Sequence, residues 1–333
     1  MIAAAAQPAE AREPAEVRGA GRDDVRLLVA RRSSGELEHA RFAELPELLD
    51  PGDLLVINTS ATLPAALPVL GSDLRVHLSS PAPDRGPGVW LVELRAGRDR
   101  FDGGEEGEVL ALPGDAAATL LERVGRLWLA ALDLGSSVPR YLARHGEPIR
   151  YRHTARDWPL ERYQTVYANA PGSAEMPSAG RAFTPELITQ LVAAGIDIAP
   201  LVLHTGVSSL EAGERPHAEW YGVPRFTAER ARLARSLDGR VIAVGTTVVR
   251  ALVSSAGSAA RGWTDLVIEP STPIEAVDGL LSGFHDHDSS HLSMLEAIAG
   301  RELLERSYEE ATEAGYLRHE FGDLHLILPC CSS

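Results

Sequence analysis

Residues 283–292 read GFHDHDSSHL, which places three histidines and two aspartates within ten residues. Imidazole and carboxylate at that density raise metal chemistry first. The spacing argues against it. Asp286, His287 and Asp288 are consecutive, so from a strand or a helix they point in different directions. His287 and His291 are four apart, but Ser289 or Ser290 reads as the N-cap of SSHLSMLEAIAG and leaves His287 outside that helix. No HExxH pattern or other sharp metal-ligand spacing occurs. Metal binding is the lesser reading of this stretch, and a polar strand-to-helix loop at the mouth of a site is the greater.

Other residue groups suit a different chemistry. In VGTTVVR (244–250) a strand ends at Gly245 and a helix begins at Thr246 or Thr247. Free backbone N–H groups and two hydroxyls there form a pocket for a carboxylate or phosphate. The plainer alternative is a Thr-capped helix that binds nothing, with Arg250 either aimed at the same ligand or in solvent. LVLHTG puts His204 at the C-terminal end of a strand, the edge where open α/β sheets bind ligands. A structural histidine fits that position equally well. RPHAEWY carries His217 and Glu219, and FGDLHL carries Asp323 at a strand start, where a turn-forming aspartate is the plain alternative. YQTVYANAPGS and PSAGRAF are rich in small residues that let backbone approach a ligand closely. There is no GxGxxG fingerprint, no P-loop and no GxSxG nucleophile elbow.

These residues need elements to hold them. PGDLLVINTS contains a continuous apolar run, Leu54–Ile57, as expected of a strand covered on both faces. DLRVHL, GVWLVEL, GEVLAL, ATLLERV and RLWLAAL follow at close spacing, separated by Pro/Gly/Asp clusters, the rhythm of an antiparallel barrel or sandwich. From about residue 158 an α/β pattern resumes. TPELITQLVAAG shows a Thr184 N-cap, Pro185 at the first helical position and a Gly195 stop. The expected fold class is α/β: a main α/β domain of residues 23–62 and 158–333, interrupted by a small antiparallel β-barrel domain over 63–157. Residues 1–22 read as a disordered lead rather than a signal peptide, having no basic start and no long apolar stretch.

Composition bounds the partners. The 333 residues carry a net charge of −15, which argues against a broad basic face for nucleic acid but leaves room for a local basic groove. No apolar stretch is long enough for a membrane span. The two cysteines, Cys330 and Cys331, are adjacent and support neither a disulfide framework nor a Cys-based zinc site, so a reducing, cytoplasmic setting is expected.

In this order, PGDLLVINTS, YQTVYANAPGS, PSAGRAFTPEL, LVLHTG, HAEWYGV, RVIAVGTTVVRAL, GFHDHDSSHLSML with AIAG, and FGDLHLIL resemble one family. It is the S-adenosylmethionine:tRNA ribosyltransferase-isomerases of queuosine biosynthesis, and the resemblance spans residues 25–328. It implies an α/β domain with an inserted β-barrel. The implied activity moves and isomerises the ribosyl part of S-adenosylmethionine onto a 7-aminomethyl-7-deazaguanine base of tRNA, releasing adenine and methionine. S-adenosylmethionine enters as substrate; no cofactor and no metal are implied. Catalytic candidates are His204, His217, Glu219, His285 and Asp323. Binding candidates are Asn58, Tyr163, Gln164, Gly180, Gly206, Gly245, Thr246, Thr247, Arg250, Phe284 and Ser289.

The chain also departs from the family's usual pattern. Ser60 and Ala66 stand where arginines are usual, Ala182 where a histidine is, and Arg181 where a leucine is. LHTGVSSL, SGFHDHDSSHL and HEFGD differ from the usual runs as well. Arginine is the natural phosphate partner. These losses therefore keep two alternatives open: a relative acting on S-adenosylmethionine or a similar nucleoside with a small-molecule acceptor or as a lyase, and a non-catalytic ligand-binding homologue.

Overall fold

The computed structural model describes residues 7–207, 217–286 and 289–329. His287, Asp288, Cys330 and Cys331 lie outside the described residues. In chain order, the first strands of the two large sheets are β1 (Arg26–Arg31), β2 (Leu37–Arg41), β3 (Leu54–Asn58), β4 (Ala66–Pro68), β5 (Leu74–Pro81) and β6 (Val89–Ala96). Next come β7 (Asp99–Arg100), β8 (Val109–Leu112), β9 (Ala116–Val124), β10 (Leu127–Asp133) and β11 (Asp197–Leu203). The last are β12 (Glu219–Val223), β13 (Val241–Val244), β14 (Ala260–Thr264), β15 (Gly279–Gly283) and β16 (Leu324–Leu328). The principal helices are α1 (Val138–His145), α2 (Pro185–Ala193), α3 (Arg225–Ser236), α4 (Thr246–Ser254), α5 (Ser290–Ala299) and α6 (Arg301–Glu313).

The larger sheet has nine strands in the order β14-β12-β11-β3-β13-β15-β16-β1-β2. Its centre, β11 to β15, is parallel. β3 is buried along its whole length, as its apolar run requires of a strand with helices on both faces. Alternation then divides its side chains. Leu54 and Val56 join α3 and α4 through Ala228, Val248 and Leu252. Leu55 and Ile57 point the other way, toward Phe183, Leu187 and Leu191 of α2 and its lead-in. Helix α2 begins as expected: the Thr184 side chain accepts from the Leu187 N–H, Pro185 opens the helix, and Gly195 follows in the left-handed region.

The second sheet has seven strands, all antiparallel, in the order β8-β9-β10-β6-β5-β4 with β7 beside β6. The Leu70 N–H donates to the Ala111 carbonyl at 2.8 Å, bringing the two edges together into a nearly closed barrel. Leu110 and Leu112 point inward to Val76, Leu94, Leu120 and Trp128 while Val109 stays exposed, the period-two pattern of a half-buried strand. In sequence this sheet falls between β3 and β11 of the larger one. A short parallel pair, Ser60–Thr62 against Ala170–Ser173, carries the chain out and back.

The described part of the lead is ordered, which corrects the expectation of disorder for residues 7–22. Ala9–Glu10 pairs with Leu317–Arg318, and Ala15–Arg18 forms a 3-10 turn. Composition misled here because the anchor is electrostatic. Both carboxylate oxygens of Glu16 accept from Arg181 at 3.0 Å, and Arg22 and Arg162 reach the same group. Burial opposes the charge on Glu16, but Arg181 and Arg22 outweigh it and hold the carboxyl at about 2.

Candidate functional site

The four parallel strands at the centre of the nine-stranded sheet end on one edge, and their C-terminal loops converge there. β11 leads to His204, Thr205 and Gly206, β13 to Gly245 and the start of α4, and β15 to Phe284 and His285. A pocket opens over this edge. Its far wall comes from the barrel. A β-bulge between Leu78 and Ser80 breaks the β5 register, and Ser79 there accepts from the Val207 N–H at 3.0 Å. Arg126, ion-paired with the buried Glu93, donates to the Val207 carbonyl. The pocket thus lies on the seam between the two sheets.

Of the expected residues, His217, Glu219, Gly206, Gly245, Thr246, Thr247, Arg250, Phe284 and His285 line the pocket. At the start of α4, Gly245 sits at φ 97, a conformation that suits glycine, and its own N–H bonds the Leu281 carbonyl. The following N–H groups, at Thr246 and Thr247, open the helix, where no intrahelical acceptor exists. They face the pocket with the positive end of the helix dipole.

Glu219 and Arg250 are bound to each other. Glu219 Oε2 takes Arg250 Nη1, and Oε1 accepts from the Gly206 N–H at 2.8 Å. Arg250 also donates to the carbonyls of Leu266 at 3.1 Å and Thr264 at 3.2 Å. It is neither solvated nor a bare anion grip; it braces the pocket wall.

His285 is the centre of a chain of polar groups. Its Nε2 lies 3.0 Å from Ser282 Oγ, and its Nδ1 lies 3.1 Å from Nδ1 of His291. Burial, with His291, His319 and His325 nearby, holds His285 well below the usual histidine value. Burial and then Arg250 bring His291 down to about 4. Both rings are therefore neutral at pH 7, and one Nδ1 carries the proton between them. His291 lines the pocket and was not among the expected residues. The signal was present in its spacing: six residues after His285, just inside the helix that Ser289 caps.

The remaining expected residues are not in the lining, and each has contacts within the fold. His204 stacks on Trp220 at 5.3 Å, and its Nδ1 lies 2.7 Å from Ser60 Oγ. A Cβ on Gly172 would collide with its ring, and burial lowers its pKa. Asn58 takes the N–H and carbonyl of Leu203, the Ser60 N–H and Thr247 Oγ1. It joins β3, β11 and α4. Gln164 pairs with both backbone groups of Thr62, and Tyr163 is buried against Phe321. Gly180 is a close-approach residue, since a Cβ there would overlap the Tyr167 hydroxyl. Ser289 caps α5 by accepting from the His291 N–H.

Asp323 is the most firmly held of these residues. Its oxygens accept from the Arg26 N–H at 2.8 Å, from the Arg26 guanidinium at 2.9 and 3.1 Å, and from the Leu317 N–H at 2.8 Å. Three of those four bonds fall on Oδ2 and one on Oδ1. Sequence could place Asp323 at a strand start but could not show its partner Arg26, almost three hundred residues away. Ser79, Ser80, Glu175, Ile268, Ser282 and Met294 also line the pocket without having been expected. They reach it through long-range packing rather than through a motif.

The sequence agrees with this geometry when set against known proteins. Residues 5–327 match the family model described as "Queuosine biosynthesis protein". An S-adenosylmethionine:tRNA ribosyltransferase-isomerase of Desulfitobacterium hafniense is 35% identical, over 92% of this chain and 94% of its own length. The enzyme of that name from Thermotoga maritima is 35% identical over 96% of each chain. A crystal structure of S-adenosylmethionine tRNA ribosyltransferase from T. maritima superposes with a TM-score of 0.54 at 30% identity, covering 96% of both chains. The chain belongs to the queuosine biosynthesis protein family.

Proposed function

We propose that this chain is an S-adenosylmethionine:tRNA ribosyltransferase-isomerase. It transfers and isomerises the ribosyl moiety of S-adenosylmethionine onto a 7-aminomethyl-7-deazaguanine base in tRNA and releases adenine and methionine. One observation carries the reading beyond the family: a helix N-terminus and a neutral imidazole pair face the same pocket.

The chemistry follows from those groups. The methionine carboxylate of S-adenosylmethionine is an anion, and the start of α4 at Thr246–Thr247 receives it. The sulfonium acidifies the neighbouring C5′ hydrogen, and a neutral imidazole of the His285–His291 pair is in the form that accepts a proton. Phe284, Ile268 and Met294 supply an apolar wall for the purine. The positions where the usual arginines and histidine are replaced do not reach this site. Ser60, Ala66 and Ala182 are buried, and none is in the pocket lining. The same reading takes residues 63–157 as a domain inserted into an α/β domain of 23–62 and 158–333, supported by the sequence position of the barrel strands between β3 and β11. It places the enzyme in the cytoplasm with tRNA. Consistent with that setting, no helix among the described residues is long and apolar enough to cross a membrane.

The test incubates purified protein with S-adenosylmethionine, with and without tRNA bearing the aminomethyl-deazaguanine base, and follows adenine and methionine by chromatography. Release that requires the tRNA is expected. Release without tRNA, or none in either case, would overturn the assignment.

A further inference from the structure

At the rim of the pocket, apart from the His285–His291 pair, three side chains from distant parts of the chain meet. His153 comes from the segment leaving the barrel, and His319 and Glu320 come from the turn before β16. One ligand-type atom from each lies within 4.8 Å of the other two. His153 Nε2 and Glu320 Oε2, both buried, lie 2.7 Å apart. With the imidazole unprotonated, the same two atoms are a nitrogen and a carboxylate donor converging on one point. The His153 and His319 rings stack at 4.2 Å, which holds the third ligand beside the first two.

The turn that presents His319 and Glu320 is rigid and strained. His319 sits at φ 73, a left-handed conformation that costs energy in a residue with a side chain. Asp323 holds the turn by accepting from the Leu317 N–H, and Gly322 N–H closes it on the His319 carbonyl at 2.9 Å. The surroundings favour a cation. Asp286 and Glu10 carboxylates lie 4.0 and 3.9 Å from His319 Nε2. Arg318, which donates to that same nitrogen at 3.0 Å, is itself ion-paired with Asp286 at 3.1 Å and Glu10 at 3.3 Å. A metal there takes a His319 nitrogen in competition with Arg318.

We propose that His153, His319 and Glu320 form a binding site for a divalent transition metal of the zinc class. Two imidazoles and one carboxylate are a donor set for such ions and leave further coordination positions open to water. The site links the segment leaving the barrel to the turn beside the pocket, so an ion there ties together the two sides of the seam.

The experiment titrates chelator-treated, untagged full-length protein with Co²⁺ and reads its visible d–d absorption, followed by competition with Zn²⁺. All proteins carry Cys330→Ser and Cys331→Ser, so that terminal thiolates cannot supply the signal. Absorption is expected, displaced by Zn²⁺, and weakened roughly 100-fold or more in apparent affinity by His153→Gln and by Glu320→Gln, since each loses a direct ligand. Thermal melting gives a second readout. Zn²⁺ raises the melting temperature of the parent protein by mass action and leaves both variants unmoved. No Co²⁺ absorption in the parent, or binding undiminished in both variants, would overturn the site.

Discussion

At the scale of single residues, the chemistry of this pocket was half legible. VGTTVVR read as a strand running into an anion-binding helix start, and Gly245, Thr246 and Thr247 line the pocket as expected. Thr246→Ala removes one hydroxyl from that lining. It should weaken S-adenosylmethionine binding by about 1 kcal/mol, the scale of one hydrogen bond, and calorimetry reads it directly; unchanged affinity would remove Thr246 from the anion site. For Asp323 and His204 the sequence leaves the role open for one physical reason. A polar residue at a strand end looks the same whether it faces a ligand or a partner far along the chain, and Arg26 and Ser60 are such partners. His291 has two possible partners by spacing, His287 four residues before it and His285 six before it, and the structure pairs it with His285. The neutral pair has a signature. With His291 lowered to about 4 and His285 also held low, both rings stay unprotonated as pH falls through the usual histidine value. The kcat/KM for adenine release should therefore hold through pH 6.5 and fall only toward pH 4, measured by initial rates after brief exposure. A limb centred near 6.5 would mean that another group accepts the proton.

At the scale of elements, periodicity carried most of the fold, because the apolar run of β3 and the alternation in β8 follow directly from which faces are covered. What no periodicity shows is the polar joinery between elements. Asn58 is the clearest case. It ends β3 and satisfies the Leu203 N–H and carbonyl and the Ser60 N–H in a buried position. Asn58→Ala strands those backbone groups, and the cost should be about 3 kcal/mol in urea unfolding with an unchanged m-value. The N-terminal segment is the other case. Glu16 has a depressed folded-state pKa, so its ion pairs with Arg181 and Arg22 stabilise the fold fully above the ordinary carboxyl value of 4.5 and fade as pH falls toward about 2. Glu16→Gln should accordingly lower the melting temperature at pH 7, with the difference from the parent protein closing between pH 4.5 and 2. A difference that persists at pH 2 would mean the segment is held by packing rather than by charge.

At the scale of the whole molecule, both sheets depend on histidines that are buried without charge. His77 lies buried on the face of β5 opposite to that of Val76 and Leu78, and His325 in β16, where it stacks on Phe284 at 5.4 Å; neither has a hydrogen-bond partner among the described residues. Burial, and for His77 also Arg95, Arg75 and Arg150, lowers each to about 3, and His291 joins them at about 4. Both stand within strand-like runs of the sequence, RVHL and DLHLIL, but a histidine in a strand carries no mark of its burial or ionisation state. The sign of the consequence is fixed. The unfolded chain takes up protons on these rings below about pH 6.5 while the native state does not, so unfolding gains protons and stability falls as the solution is acidified from 6.5 toward 3. Each ring contributes a slope of up to about 1.4 kcal/mol per pH unit inside that window. This lies mostly above the range in which Glu16 acts, which separates the two effects. His77 and His325 belong to different sheets, so their substitutions should add. The double variant His77→Leu, His325→Leu should flatten the pH dependence of the urea unfolding free energy between pH 6.5 and 5 by up to about 3 kcal/mol per pH unit. An unflattened slope would show that these two rings already take up protons in the folded protein.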